Sequence, residues 1–368
     1  MLNNPTETLK KYVNQPSGSL DKEDVQAVSQ LIEDDFSSLG FSCVRHPGQI
    51  YGPTLEFHIG EGEKTLLLMG HMDTVFPHAV SVPFTKAEGD KALGSGITDM
   101  KGGVMIMLYA LKKALDKINL KKFSLLAVIN PDEEIGSPES HGVILDAAKK
   151  SFAALSFEPG GENGRLTCAR KGVTSVLISC KGVPGHAGAQ YKTCASAIEA
   201  LCAQITKLYA LRDDERDISF NAGLIQGGTA ENVVAPDAFC KCEFRYFDQS
   251  LKQPLMNKIT EICTPEPVKN VTTTVVFGAS HPAVDLNDKS RALLSAALQI
   301  AKEQGRTLVH ERTGGAGDIS IAALAGIGVL DGLGMQGGKM HTKDEYALLS
   351  LIPEQIELAA ELIVKLLQ

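Results

Sequence analysis

The stretch Thr65–Val75 reads TLLLMGHMDTV, an apolar run without alternation that ends in a glycine and a His-x-Asp pair. A short run with no polar face suits a strand covered on both sides, as in the interior of a parallel sheet. In a strand, residues two apart share a face, so His71 and Asp73 are expected to point into one site. A second run of the same kind, FSLLAVIN, covers Phe123–Asn130, and GGVMIMLYALKKALDKIN between the two reads as a crossover helix. AALSFE, Ala153–Glu158, makes a third short strand. Upstream, an N-terminal helix precedes DKEDVQAVSQLIEDDFSSLG, a second helix stopped by Gly40. Strands alternating with helices are the mark of an α/β fold.

From Lys171 the pattern changes. GVTSVLISCKG is followed by a helix from Cys194 to Leu211, the strands DISFNAGLIQGG and AFCKCEFRYF, a helix from about Ser250, and NVTTTVVFG. That order of strand, helix, strand, strand, helix, strand is a split βαβ arrangement. After it, KSRALLSAALQIAKEQG, a strand around Thr307 and the amphipathic PEQIELAAELIVKLLQ return to α/β character. The expected architecture is therefore a central sheet flanked by helices, residues 1–170 and 281–368, interrupted by a smaller α+β domain, residues 171–280.

Composition narrows the function. In 368 residues, 36 Lys and Arg stand against 44 Asp and Glu, giving a formal net charge of -8. With no long basic run, nucleic acid and membrane surface are not expected partners. The first twenty residues hold no apolar core of signal-peptide length, and no apolar span of about 20 residues occurs later, so a cytoplasmic protein is expected. The eight cysteines form no CxxC pair and read as free thiols; alternation makes Cys240 and Cys242 same-face strand residues.

Polar groups recur where the strands end. Asp99 lies in GSGITDMKGG before the crossover helix, Glu133 and Glu134 in PDEEIGS after the second strand, Glu158 after the third, and His341 in HTKDE. Sites in open α/β sheets form at the carboxyl ends of strands, which places these residues to converge. Carboxylates sharing a cleft with two histidines would repel one another unless cations lay between them. Mixed imidazole and carboxylate donors suit zinc, cobalt or manganese.

GHMDTV, GSGITDMKGG, PDEEIGS, FEPGG, GVPGHAG, GGTAENVVAPDA and HTKDE, in this order, resemble the motifs of the dinuclear zinc aminoacylases and carboxypeptidases. That family includes glutamate carboxypeptidase, acetylornithine deacetylase, succinyl-diaminopimelate desuccinylase and peptidase T, and the resemblance spans essentially the whole chain. It implies a zinc-peptidase catalytic domain with a central mixed sheet, interrupted by a ferredoxin-like lid and dimerisation domain. It also implies two Zn2+ ions, with Co2+ or Mn2+ as substitutes: His71 and Glu158 on one, His341 and Glu134 on the other, and Asp99 bridging. Asp73 would orient His71 by accepting its other ring proton, Glu133 would be the general base, and a cis peptide would follow Asp99.

In the insert, the resemblance makes His186 the donor that one subunit of a homodimer lends to the other's active site to stabilise the oxyanion. Asn232 would sit near the scissile carbonyl, and Arg245 would clamp the substrate's free carboxylate, a task its planar fork suits. LSFEPGGENGRLTCARKG is most similar to the glutamate carboxypeptidase branch and brings Arg165 toward the substrate. GGAGDIS, Gly314–Ser320, departs from the family's Gly-Gly-x-Ser-Asp pattern at Gly317, which bears on substrate identity. The expected activity is release of a C-terminal amino acid, glutamate first, from peptides or N-acyl amino acids. The alternatives are an N-acyl amino acid deacylase and a binding protein that has lost its chemistry. The latter would lack the base or a ligand, and all are present here.

Overall fold

The computed structural model describes Leu2, residues 4–264 and residues 267–368. Along the chain run α1 (Pro5–Asn14), α2 (Lys22–Ser37), β1 (Ser42–His46), β2 (Thr54–Gly60), β3 (Lys64–His71), α3 (Lys101–Ala114), β4 (Phe123–Asn130), α4 (His141–Lys149) and β5 (Ala153–Ser156). Then come β6 (Gly172–Lys181), α5 (Ala197–Tyr209), β7 (Ser219–Gly227), β8 (Asp237–Tyr246), α6 (Lys252–Cys263) and β9 (Thr272–His281). The chain finishes with α7 (Asp288–Glu303), α8 (Ile319–Ala323), β10 (Gly328–Leu330) and α9 (Ile352–Leu366). Two compact units result. One comprises Met1–Ala169, Leu286–Thr313 and Gly317–Gln368; the other comprises Arg170–Asp285 and Gly314–Ala316.

The first unit is built on a six-stranded sheet in the order β1-β2-β4-β3-β5-β10. β3 pairs in parallel with β4 and β5, and β5 with β10, whereas β1 and β2 run antiparallel at the edge, so the sheet is mixed. The expected α/β class holds. Leu66 and Leu68 of β3, with Leu125, Ala127 and Ile129 of β4, join one hydrophobic core with α1, α2, α3 and α9. Leu67, Met69, Leu126 and Val128 are also buried, on the opposite face, where α4 meets β4 and α8 meets β5. Burial on both faces is why these strands show no alternation in sequence. Gly103, in the first turn of α3, touches the strand end directly: a Cβ there would lie 1.9 Å from the Phe157 carbonyl oxygen.

Two details differ from the sequence reading. The strand expected around Thr307 begins later, at His310–Thr313, and pairs with Leu166–Arg170, a strand the sequence reading did not anticipate. β3 stops at His71, so Asp73 lies in the loop beyond it and the same-face argument for the pair does not apply. Gly18 and Thr74 bridge instead, and the chain turns so that Asp73 folds back toward the ring.

The second unit is an antiparallel sheet in the order β7-β8-β6-β9 with α5 and α6. Residues alternate buried and accessible along β6 and β8, as a sheet with one covered face requires. Cys240 and Cys242 point into its core.

Candidate metal centre

In the first unit, His71 ends β3, Glu133 and Glu134 follow β4, Glu158 lies two residues after β5, and Asp99 lies two residues before α3. His341 comes from a late loop and holds a positive φ of 62°, as Lys339 does at 57°. Backbone in that region is costly for residues other than glycine and persists where the surroundings enforce it.

The side chains meet in two groups. Ligating atoms of His71, Asp99 and Glu158 lie within 4.8 Å of one another, and so do those of Asp99, Glu134 and His341. His71 Nε2 is 3.2 Å from Asp99 Oδ1 and 3.9 Å from Glu158 Oε1. His341 Nε2 is 3.2 Å from Asp99 Oδ2 and 3.1 Å from Glu134 Oε2. Asp99 thus offers one oxygen to each group. The Asp99–Met100 peptide is cis.

Asp73 is fully buried beneath this cluster. His71 Nδ1 lies 3.1 Å from the Asp73 carbonyl and 3.2 Å from its Oδ1, so the Nδ1 proton is directed at Asp73 and Nε2 at Asp99 and Glu158. Asp73 also accepts backbone N–H groups from Glu133 and Glu134, both at 3.2 Å, and the Ser19 hydroxyl at 2.7 Å. One carboxylate therefore orients the imidazole and the Glu133–Glu134 turn together. The second task was not visible in sequence.

Three further carboxylates hold the loops, Asp132 of the PDEEIGS motif and two whose part the sequence did not show, Glu345 and Asp318. Buried Glu345 accepts the backbone N–H groups of Gly96, Thr98 and Asp99 at 2.9, 2.8 and 3.0 Å, fixing the loop that carries Asp99. Asp318 accepts from Asn130 Nδ2 at 2.7 Å and from the Ser137 hydroxyl, and Asp132 receives Glu139 N at 2.7 Å and Ser140 Oγ at 2.5 Å. This network pins both ends of the loop bearing Glu133 and Glu134. The only sequence signal for Glu345 was its place in the HTKDE motif.

The electrostatics reflect crowded acids. Burial raises the Glu133 carboxyl well above its ordinary range, and the Glu158 charge raises it further. Burial also raises Glu134. Burial alone would raise Asp99 too, but hydrogen bonds from His341 and His71 outweigh it and hold Asp99 low. Hydrogen bonds to Asp99 and Glu134 push His341 up to about 10. For His71, burial opposes protonation, yet Asp73 and Asp99 overcome it and raise the imidazole. Such groups attract positive charge strongly, and their mixed nitrogen and oxygen donors fit borderline divalent metals. The residues present therefore fit a pair of cations.

The other candidates are placed as follows. Arg165 leaves the turn after Glu158 and pairs with Glu311 at 3.0 Å. In the second unit, His186 and Asn232 come together: Ala187 N donates to the Asn232 carbonyl at 3.0 Å, and His186 bridges Val233. His186 Nδ1 accepts Gly188 N at 3.1 Å and Ala189 N at 3.2 Å, which leaves the proton on Nε2 as an exposed donor. Arg245 in β8 is engaged by Glu243, Nε at 2.8 Å and Nη2 at 3.2 Å, and by the Gly314 carbonyl at 2.7 Å. A substrate carboxylate at Arg245 has to compete with Glu243.

Two imidazole–carboxylate groups joined through one aspartate, at the carboxyl ends of a mixed α/β sheet, form a candidate site for two cations. The chain belongs to peptidase family M20/M25/M40, which it matches over residues 67–367. It is 32% identical over 368 residues to carboxypeptidase G2 of Pseudomonas sp. (strain RS-16), covering 98% of this chain and 88% of that protein. It is 24% identical to succinyl-diaminopimelate desuccinylase of Gluconobacter oxydans, covering 81% of each. A metallo-carboxypeptidase of the M20 family from Sulfolobus solfataricus superposes with a TM-score of 0.80 at 18% identity, over 99% of both chains. The family's members are dinuclear metal enzymes, and this chain is a hydrolase of that metallocarboxypeptidase family, acting on peptide bonds. Among the described residues, no helix is long and apolar enough to cross a membrane.

Proposed function

We propose that the protein is a two-zinc exopeptidase that releases a C-terminal amino acid, glutamate first among the candidates, from a peptide or N-acyl amino acid. The observation that carries this reading is Glu133, a largely shielded carboxylate whose Oε2 lies 4.0 Å from His71 Nε2 but which belongs to neither ligating group. Its raised affinity for a proton suits a general base that takes a proton from attacking water and delivers it to the leaving nitrogen.

His71, Asp99 and Glu158 would hold one ion, and Asp99, Glu134 and His341 the other. When bound, such ions polarise the scissile carbonyl and acidify water. Asp73 keeps the His71 Nε2 lone pair facing Asp99, and Asp318 and Glu345 hold the two acidic loops still. His186, with its Nε2 proton exposed, is the proposed oxyanion donor, acting across a homodimer formed through the second unit. Asn232 is proposed beside the scissile carbonyl. Arg245, and less directly Arg165, would receive the free carboxylate once Glu243 and Glu311 give way. The eight cysteines are all free, which supports the cytoplasm as the compartment.

The similarity to carboxypeptidase G2 supports the exopeptidase reading. The similarity to a desuccinylase supports a second one, an N-acyl amino acid deacylase with the same machinery. The test is mass-spectrometric detection of amino acid release by zinc-loaded enzyme from N-acyl glutamates, folate, acetylornithine, succinyl-diaminopimelate and dipeptides, with Glu133→Gln as blank. Glutamate release absent from the blank supports the first reading, and turnover of acetylornithine or succinyl-diaminopimelate alone supports the second. Release that persists in the blank overturns the role of Glu133.

A further inference from the structure

Beside the metal centre, and wholly within the first unit, lies a cavity of about 220 Å³. Glu134 is among the lining residues, and Leu20, Val75, Pro77 and Ile135 supply the cavity's larger apolar side chains. A cavity of about 150 Å³ suffices for a benzene-sized group, so this one takes a branched or ring side chain. Leu20 is 75% exposed and Val75 38% exposed, two large apolar side chains left in water next to a cluster of charges.

The segments that present them are stitched together. Ser19 N donates to the Thr74 carbonyl at 3.1 Å and Thr74 N to the Ser17 carbonyl at 2.9 Å. Ser19 Oγ donates to Asp73 at 2.7 Å, and His78 N to Asp21 Oδ2 at 2.8 Å. Gly18 allows the close approach: a Cβ there would lie 2.7 Å from the Phe76 carbonyl oxygen. The pocket is thus preformed, and through Ser19 and Asp73 it is tied to the same carboxylate that orients His71. A fixed apolar pocket with a few polar atoms is the usual form of a small-molecule subsite.

Charge selects the occupant. The residues lining the pocket include the acids Asp21 and Glu134 and no Lys, Arg or His. Apart from the ion that Glu134 would help to hold, an anionic group placed there meets Asp21 and no cationic side chain, whereas an uncharged apolar group exchanges water for carbon. In cleavage of an amide, the half released as an amino acid carries a free carboxylate, and only the acyl half can be neutral. We propose that this pocket receives the acyl side of the scissile bond, that Leu20, Val75 and Ile135 determine acyl specificity, and that they select a neutral apolar group over an anionic one such as succinyl. The inference rests on the amide-hydrolase reading above and deepens it.

The experiment keeps the released amino acid constant, as the one best released in the panel, and compares kcat/KM for its acetyl, hexanoyl and succinyl derivatives. Hexanoyl is expected to exceed succinyl by at least about 10-fold, because each added methylene in an apolar pocket is worth about 10-fold or more. Leu20→Ala is expected to lower the hexanoyl-to-acetyl ratio about 5- to 20-fold, and Leu20→Lys to raise the succinyl-to-hexanoyl ratio by about 10-fold or more. Metal content measured on each variant keeps loss of the centre separate from loss of selectivity. Acyl ratios unchanged in both variants, with metal retained and amino acid still released, overturn the pocket while leaving the hydrolase standing. No release from any substrate of the panel, these derivatives included, removes the amide-hydrolase reading, and the pocket's role with it.

Discussion

Gly103→Ala tests the contact that joins the two halves of the His71 group. A Cβ at position 103 would stand 1.9 Å from the Phe157 carbonyl oxygen and 3.0 Å from its carbon, both backbone atoms that no rotamer change can move. Since non-bonded atoms rest about 3.5 Å apart, the first turn of α3 has to withdraw from the end of β5 by roughly 1.5 Å. Overpacking of this kind costs about 1–3 kcal/mol, and a backbone obstacle puts it at the upper end. Alanine returns about 1 kcal/mol of helix propensity, leaving a net loss of about 2 kcal/mol.

The functional loss should be larger than the stability loss. Asp99 lies two residues before α3, and Glu158 directly follows Phe157, so the withdrawal separates two proposed ligands of one ion. A displacement of about 1 Å at a reacting centre is worth on the order of 100-fold in rate. Urea midpoints, zinc content and kcat/KM should be measured beside Gly142→Ala, a position in α4 where an added Cβ meets nothing within 4 Å. That control should be neutral or gain up to about 1 kcal/mol. A Gly103→Ala protein as stable and as active as wild type would refute the close approach of α3 to β5.

Three other outcomes are expected. Glu133→Gln should keep its metal and lose about 100- to 10,000-fold in kcat, and a near-normal rate would remove Glu133 from proton transfer. His341→Ala should lower bound zinc per chain by elemental analysis, since it supplies the only imidazole of its group; unchanged stoichiometry would reject that assignment. Burial raises the Asp318 carboxyl from 3.8 to about 6, so the folded state holds this proton more tightly than the unfolded chain. Its stabilising contribution is complete below about pH 4 and is lost as pH rises through about 6. Asp318→Asn should therefore show a shallower fall in urea midpoint across that window, and parallel curves would exclude the effect.

The fold class was legible because TLLLMG and FSLLAVIN lack a polar face, and only strands covered on both sides tolerate that. AFCKCEFRYF was legible as a strand for the opposite reason, since its alternation marks one covered and one wet face. Less regular elements were missed: Leu166–Arg170 pairs with His310–Thr313, more than a hundred residues away in the chain, and no local pattern encodes such a partner.

At the centre, sequence determined which donor types stand at the strand ends. His71, Asp99, Glu134, Glu158 and His341 all sit in motifs that could be read in order, because donor type and strand-end position are local properties. Tertiary structure decided how they act together. That Asp99 divides its oxygens between two imidazoles, that Asp73 grips the Glu133–Glu134 turn, and that Glu345 holds the Asp99 loop are contacts across 28 to 249 residues of chain. That Arg245 already faces Glu243, and that Leu20 stands exposed beside Glu134, likewise appear only once the chain has closed. A hydrogen bond depends on where two atoms finally lie, and in a folded protein that position is fixed by packing elsewhere.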